Sequence, residues 1–259
     1  MNYIREKFHQ SDYCLGMWCN MGSSLSVEMI SLIGFDWALI DLEHGPTDQD
    51  SLLHLLQPLS NCGTAPIVRI AWNDPVRFKR TLDLGVSGVM VPYVNTAEEA
   101  EMAVKAMRYP PEGIRGASYT NRATGFGMNY HSYYKKANDS LLTIVQIETE
   151  EAVSNSSEIA GVAGVDVLFV GPLDLSISLG VAGNYDSPIF TKALEKVQKS
   201  ADQEGKKAGI LVSNEKMLKD ILGLGFTFIA YGSDSGLLVN GMKKNKEIFD
   251  KSTLSGKSE

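Results

Sequence analysis

The sequence predicts a single (β/α)8 barrel of the TIM type. Three observations carry that prediction. Eight short apolar runs recur along 259 residues. Helical start signals and amphipathic stretches separate them. A barrel of this kind typically occupies about 250 residues. Most of the runs are continuously apolar rather than alternating, as parallel strands covered on both faces should be. An open doubly wound sheet is the competing architecture, and eight evenly recurring units favour closure.

The first run covers residues 14–19. The second, 37–42, follows Gly34-Phe35-Asp36, and Thr47-Asp48-Gln49-Asp50 then precedes a leucine-rich helical stretch. The third covers 66–71, and Asp74-Pro75 after it reads as an N-cap followed by proline at the first helical position. The fourth covers 88–92. Thr96-Ala97-Glu98-Glu99 behind it matches a capping box, in which Thr96 and Glu99 satisfy each other's free backbone donors, and opens a helix over 96–108. The fifth and sixth runs are 141–147 and 165–170. Ser187-Pro188 opens a helix reaching Gln203. The seventh run is 208–212, with Ser213 placed to cap a helix ending at Gly223 or Gly225. The eighth is 226–231, and the last helix is expected from Asp234 to Phe249. The barrel domain is thus 1–250, followed by a polar tail, 251–259. One interval is anomalous: residues 109–140, rich in Gly, Tyr, Asn and Arg, exceed any ordinary connection, and such insertions usually serve function or face a partner.

Composition narrows the function classes. With 24 basic and 31 acidic side chains the net charge is −7, and the pI is near 5.2. Nucleic-acid binding needs clustered Lys and Arg, so no nucleic-acid partner is expected. The densest basic run, Lys243-Lys244-Asn245-Lys246, reads as a solvated helix end. Three cysteines without a C-x-x-C spacing suit a reducing cytoplasm and give no redox or zinc signal. The N-terminus carries no apolar signal region, and no run approaches the roughly 20 residues of a membrane span, so a cytoplasmic chain with no membrane partner is expected.

In a barrel the catalytic groups stand at the C-terminal ends of strands. The polar residues there are Asp41, Glu43 and His44 after the second run, Arg69 in the third, Gln146 and Glu148 at the fifth, and Asp174 after the sixth. Glu148 and Asp174 are candidates to chelate one hard cation. Two carboxylates leave most of an octahedral shell to water and substrate, as suits Mg²⁺, with Mn²⁺ and Co²⁺ as alternatives. The plainer reading makes each a helix-cap carboxylate. The Gly171-Pro172-Leu173-Asp174 turn offers helix-start N–H groups for a substrate carboxylate. Arg69, inside an apolar strand, needs a partner: an internal salt bridge, or a keto oxygen and the enolate formed from it. His44 suits general-base work near neutrality, with Asp83 as an orienting carboxylate. A Schiff-base lysine is disfavoured, because Lys206 and Lys207 precede the seventh run and belong at the opposite rim.

Taken in order, Gly34-Phe35-Asp36-Trp37, Asp41-Leu42-Glu43-His44-Gly45-Pro46, Pro66-Ile67-Val68-Arg69, Leu82-Asp83-Leu84-Gly85, Arg108-Tyr109-Pro110-Pro111-Glu112-Gly113-Ile114-Arg115-Gly116, Gln146-Ile147-Glu148-Thr149 and Gly171-Pro172-Leu173-Asp174 resemble the HpcH/HpaI aldolase family over residues 14–240. The resemblance implies a metal-dependent class II pyruvate aldolase. It would cleave 4-hydroxy-2-oxo acids to pyruvate and an aldehyde through a metal-stabilised pyruvate enolate. It implies that Glu148 and Asp174 bind the divalent metal and that Arg69 holds the pyruvyl oxygen. It implies that His44 with Asp83 handles protons, Asp83 reaching the site from a neighbouring subunit. Gln146 is expected near the substrate, and the backbone of Gly171, Leu173 and Asp174 around its carboxylate. Leu173 stands where relatives often carry a smaller residue, which would tighten the aldehyde side. The family further implies a homohexamer, built as a trimer of dimers, with the last helix exchanged between subunits. The alternatives are a CoA-thioester lyase of the malyl or citramalyl type, an enolate-forming mutase or decarboxylase on a related barrel, and a non-catalytic barrel. The first would need a basic site for the CoA phosphates, and the sequence shows no compact one.

Overall fold

The computed structural model describes residues 3–11 and 13–255. Eight parallel strands close a barrel in sequential order: β1 (Cys14–Cys19), β2 (Trp37–Asp41), β3 (Ala65–Arg69), β4 (Gly88–Val91), β5 (Leu142–Ile147), β6 (Val167–Val170), β7 (Lys207–Val212) and β8 (Phe228–Ser233). β8 pairs back onto β1 with Cys14 opposite Phe228. Every strand falls on one of the expected apolar runs, with bounds differing by a residue or two at most of the ends.

Alternation along each strand sorts the side chains into two layers. Inward go Trp37 and Leu39 of β2, Ile67 of β3, Met90 of β4, Leu142 and Ile144 of β5, and Phe169 of β6. Outward go Ala38, Ile40, Val68, Val89, Val91, Val145 and Ile147, which pack under the helices. Inside, Trp37 stacks on Phe228 with ring centroids 4.5 Å apart and meets Phe169 edge-on at 6.4 Å. Gly16 makes room for that ring, since a Cβ there would lie 2.0 Å from the indole. The floor is closed by a helix, Tyr3–Gln10, which inserts Ile4 and Phe8. Arg5 binds Asp166 at 2.6 Å, and the Lys207 ammonium lies 5.2 Å from the Phe8 ring. Lys207 is therefore at the floor, away from the C-terminal ends of the strands, as its position before the seventh run requires.

The helices start largely where their caps predict. The Asp74 carboxylate accepts from Val76 and Arg77 ahead of Pro75–Leu82. Ser187 caps Pro188–Gln203. Thr96 caps Ala97–Met107, but the returning Glu99 carboxylate takes the Asn95 N–H at 2.6 Å rather than that of Thr96. Asn214 replaces Ser213 as the cap of Glu215–Gly223, its amide oxygen accepting from Met217 at 2.9 Å. The last helix continues past Phe249 to Ser255, so the basic run 243–246 lies inside it; Lys246 pairs with Asp250 one turn on at 2.7 Å. Residues 256–259 of the expected tail lie outside the described residues.

Candidate active site

The alternation that fills the barrel also aims its chemistry. Trp18, Asp41, Arg69, Gln146 and Glu148 share the inward register of the apolar residues below them, and at the C-terminal ends of the strands they open into a cavity of about 370 Å³. Asn20, His44, Gly171, Leu173, Asp174, Tyr185, Ser213, Met217 and Ser233 complete most of its wall. Cavities of about 360 and 420 Å³ lie elsewhere, so it is the side chains and not the volume that single this one out.

Asp41 organises one side. Its carboxylate takes Arg69 in a two-pronged bond, from Nε at 3.0 Å and Nη2 at 2.6 Å. It also accepts the Trp18 indole N–H at 3.1 Å and the backbone N–H groups of Glu43 and His44 at 3.0 and 3.3 Å. Burial opposes its ionisation, but these donors outweigh burial and hold its pKa below the ordinary value. Arg69 Nη1 pairs with Glu43 at 2.8 Å, and the guanidinium lies 4.8 Å from the Trp18 ring centroid. The internal salt bridge expected as the plainer reading of Arg69 is present, and the same side chain lines the cavity.

Glu148 stands opposite and is 1% exposed. Thr149, not Glu148, caps the following helix, which leaves the Glu148 carboxylate free to face inward. Gln146 Nε2 and the Tyr93 N–H, the latter at 3.3 Å, donate to it. Tyr93 adopts a φ of 52° to present that N–H. A Cβ on Gly171 would sit 2.3 Å from Glu148 Oε1, so glycine here leaves this carboxylate its place and any larger residue would displace it. Burial first, then the negative charges of Asp174 and Glu43, push the Glu148 pKa up to about 8 against the pull of Arg69. Asp174 lies in the first turn of Pro172–Ser178, whose cap position is Gly171, so the helix-cap reading fails for it too. Leu173 and Asp174 are the second and third residues of that helix, and their N–H groups have no carbonyl one turn back within it.

With its carboxylates ionised this pocket would carry an excess of negative charge, and the raised pKa values of Glu148 and Glu43 reflect burial first and then that charge. Glu43, Glu148 and Asp174 act on one another electrostatically, while much of the one cation, Arg69, is taken up by Asp41. A divalent ion between Glu148 and Asp174 would restore the balance, so the residues fit such a group. Among the described residues no cluster of three or more His, Cys, Asp or Glu side chains could hold a metal. A two-carboxylate site, with its other positions open to substrate, is the arrangement these residues can offer.

His44 is exposed at the mouth, its Nε2 3.8 Å from Glu43. Asp83 does not join it within one chain. It ends the helix Pro75–Leu82 at the opposite rim and is bound by Arg115 at 3.1 Å. The insertion 109–140 packs on that rim as well. Arg115 is buried between the Tyr109 and Tyr133 rings, and Arg122 reaches Ser60 at 2.7 Å. None of its residues lines the catalytic cavity of its own chain. Sequence reasoning passed over Trp18, Asn20, Ser213 and Tyr185. The inward register of β1 and β7 marks Trp18, Asn20 and Ser213; Tyr185 sits on a connection with no such marker. Tyr185 and Met217 form a wall shared by the catalytic cavity and the 420 Å³ cavity between Pro188–Gln203 and Glu215–Gly223.

Comparison with known proteins finds relatives of this chain. The family model for HpcH/HpaI aldolase/citrate lyase matches residues 14–241. The chain is 40% identical over 237 residues to 5-keto-4-deoxy-D-glucarate aldolase of Escherichia coli K12, covering 92% of each chain. Its fold superposes on an HpcH/HpaI aldolase/citrate lyase family protein from Burkholderia cenocepacia J2315 with a TM-score of 0.92 at 30% identity, covering 96% of this chain and 100% of the other. An HpcH/HpaI aldolase from Desulfitobacterium hafniense DCB-2 gives 0.90 at 27% identity, covering 96% and 97%.

Proposed function

Since the chain belongs to the HpcH/HpaI aldolase/citrate lyase family and is a lyase of the aldolase type, we propose that it cleaves 4-hydroxy-2-oxo acids to pyruvate and an aldehyde with the help of a divalent metal. The observation that carries this reading is the meeting of Arg69, Glu148, Asp174 and His44 on one cavity at the barrel mouth. The relative's name denotes a keto-deoxy sugar diacid, and sugar acids of that kind are the substrate class taken for this chain.

Glu148 and Asp174 would hold Mg²⁺, or Mn²⁺ or Co²⁺, which as a Lewis acid polarises the 2-oxo group of the substrate. The residues divide the remaining work. The N–H groups of Leu173 and Asp174 bind the substrate carboxylate. Arg69, held rigid by Asp41, faces the 2-oxo oxygen and stabilises the negative charge that grows there as C3–C4 breaks. His44 takes the proton from the 4-hydroxyl as the aldehyde departs. Gln146 orients Glu148 and leaves its own Oε1 buried without a partner, beside the substrate position. Protonation of the enolate releases pyruvate, and the reverse sequence is an aldol addition.

Asp83, at the far rim, would serve His44 of a neighbouring subunit in a homohexamer arranged as a trimer of dimers. The last helix supports such assembly, since it leaves Leu237, Leu238, Val239, Met242, Ile248 and Phe249 exposed, and exchange of this helix between subunits would cover them. Among the described residues no helix is long and apolar enough to cross a membrane, and the cytoplasm is the proposed location. The test is pyruvate release from a 4-hydroxy-2-oxo acid, with and without excess chelator. Loss with chelator and recovery with Mg²⁺ or Mn²⁺ is expected; full turnover after complete metal removal overturns the metal role.

A further inference from the structure

At the end of the barrel away from the catalytic mouth lies a cavity of about 360 Å³, lined by Ser60, Asn61, Cys62, Thr64 and Ser87 around Arg122. It sits beside the starts of β3 and β4, at Ala65, Pro66 and Ser87. In a chain of net charge −7, no acidic side chain among the described residues lines it. Arg122 is half-buried and pairs with no carboxylate among the described residues. Two of its donors are taken by neutral acceptors, the Leu84 carbonyl and the Ser60 hydroxyl. A guanidinium carries five N–H donors, so its fork is only partly engaged. Burial alone depresses its pKa, with no nearby anion to offset the cost. Arg115, a few residues earlier, shows the contrast: it is buried with Asp83 as its counter-charge. A half-buried cation without a counter-charge, facing a cavity whose polar groups are neutral hydroxyls and an amide and whose other wall is apolar, Leu56, Leu59 and Pro66 among it, is complementary to a small anion.

We propose that this cavity is a second binding site, distinct from the catalytic one, which takes a small carboxylate or phosphate oxyanion on Arg122. The anion supplies the counter-charge Arg122 lacks, and Asn61 and Ser87 are at hand to donate to its remaining oxygens, the Ser60 proton being spent on the Leu56 carbonyl. Because the site borders the helix end that carries Asp83 and the insertion that carries Arg115, its occupant would bear on the rim proposed to serve a neighbouring subunit.

Cys62 reports on the site. It lines the cavity and is only half-buried, whereas Cys14 and Cys19 are buried and burial pushes both thiol pKa values up, that of Cys14 to about 11. The full-length protein is treated with iodoacetamide, and alkylation of the Cys62 peptide is followed by mass spectrometry. Orthophosphate, succinate and chloride are compared at equal ionic strength. Orthophosphate or succinate is expected to slow Cys62 alkylation saturably, by about sixfold at five times its Kd, with chloride ineffective. Which of the two protects identifies a phosphate or a carboxylate ligand. Arg122→Gln should abolish the protection. Should that variant not fold, Arg122→Lys keeps the charge but not the fork, and its protection should need several times more anion. The proposal is overturned if neither anion protects the wild type, if chloride does as well, or if protection survives undiminished in the variant. It is equally overturned if Cys62 never reacts in the folded protein, since the cavity is then closed to solutes.

Discussion

Gly171→Ala is expected to cripple metal-supported turnover while the fold stands. The added Cβ would lie 2.3 Å from Glu148 Oε1, 2.8 Å from its Cγ and 2.9 Å from its Cδ, where real Cβ contacts essentially never fall below 3.0 Å. The neighbour that must yield is the end of a flexible side chain, not backbone, so the folding cost stays near the low end of overpacking, about 1 kcal/mol. Yielding nevertheless moves the carboxylate by most of an ångström and pulls it from Gln146 Nε2 and the Tyr93 N–H. Disturbing the orientation of a ligand typically costs about 10–100-fold in metal affinity or activity. The assay is pyruvate release titrated with Mn²⁺, alongside thermal unfolding of the metal-free protein. The half-saturating Mn²⁺ concentration should rise by that factor, with a shift in Tm of only a few degrees. A variant that saturates at the wild-type Mn²⁺ concentration and turns over at the wild-type rate would falsify the placement of Glu148 as a metal ligand.

Arg69→Ala strands two carboxylates, Asp41 and Glu43, in a buried setting. Urea unfolding should show a loss of about 3–5 kcal/mol, and turnover should fall at least as far as the folded fraction allows; unchanged stability would show that the ion pair matters little. Glu148 carries a folded-state pKa near 8, above its ordinary 4.5. A raised carboxylate pKa gives stability that is complete below the unfolded value and lost as pH rises through the folded one. The Tm of the metal-free protein should therefore fall between about pH 4.5 and 8. Saturating Mg²⁺ should counter the fall, and Glu148→Gln should remove both effects; a Tm that is flat across that window in the wild type contradicts the burial argument. Finally, His44→Ala and Asp83→Asn should each lose activity alone. Subunits of the two remixed after mild dissociation should recover about one quarter of wild-type activity if His44 and Asp83 meet across an interface. No recovery would place Asp83 in a purely structural role, tied to Arg115.

Much of this molecule was legible because buried parallel strands cannot hide their composition. All eight runs became strands, and the caps Asp74, Thr96 and Ser187 opened helices where they stood. Ser213 lost to Asn214 because neighbouring residues compete for one cap, and the side chain with the better reach to the third N–H decides it. The floor helix Tyr3–Gln10 went unforeseen because its anchorage is tertiary: Ile4 and Phe8 enter a barrel the local sequence does not contain. In the site, Arg69, Gln146, Glu148 and Asp174 were readable as polar groups ending apolar strands. Asp41 was seen at a strand end, but its hold on Arg69, Trp18 and the 43–44 backbone depends on three separated segments meeting. Asp83 shows the opposite limit. Like Lys206 and Lys207 it precedes a strand, so its place ahead of β4 already points to the far rim, where the helix Pro75–Leu82 delivers it; pairing it with His44 runs against that signal.

Tyr185 and Met217 have a consequence for redesign. They are a thin partition between two chambers that together offer roughly twice the space of the catalytic one. Neither side chain forms a hydrogen bond to Glu148, Asp174 or Arg69. Shortening them would join the two chambers, and under the proposed aldol chemistry longer-chain or branched aldehydes are the groups that would use the added space. The barrel thus already contains the spare volume that a synthetic chemist would otherwise have to carve out of its core.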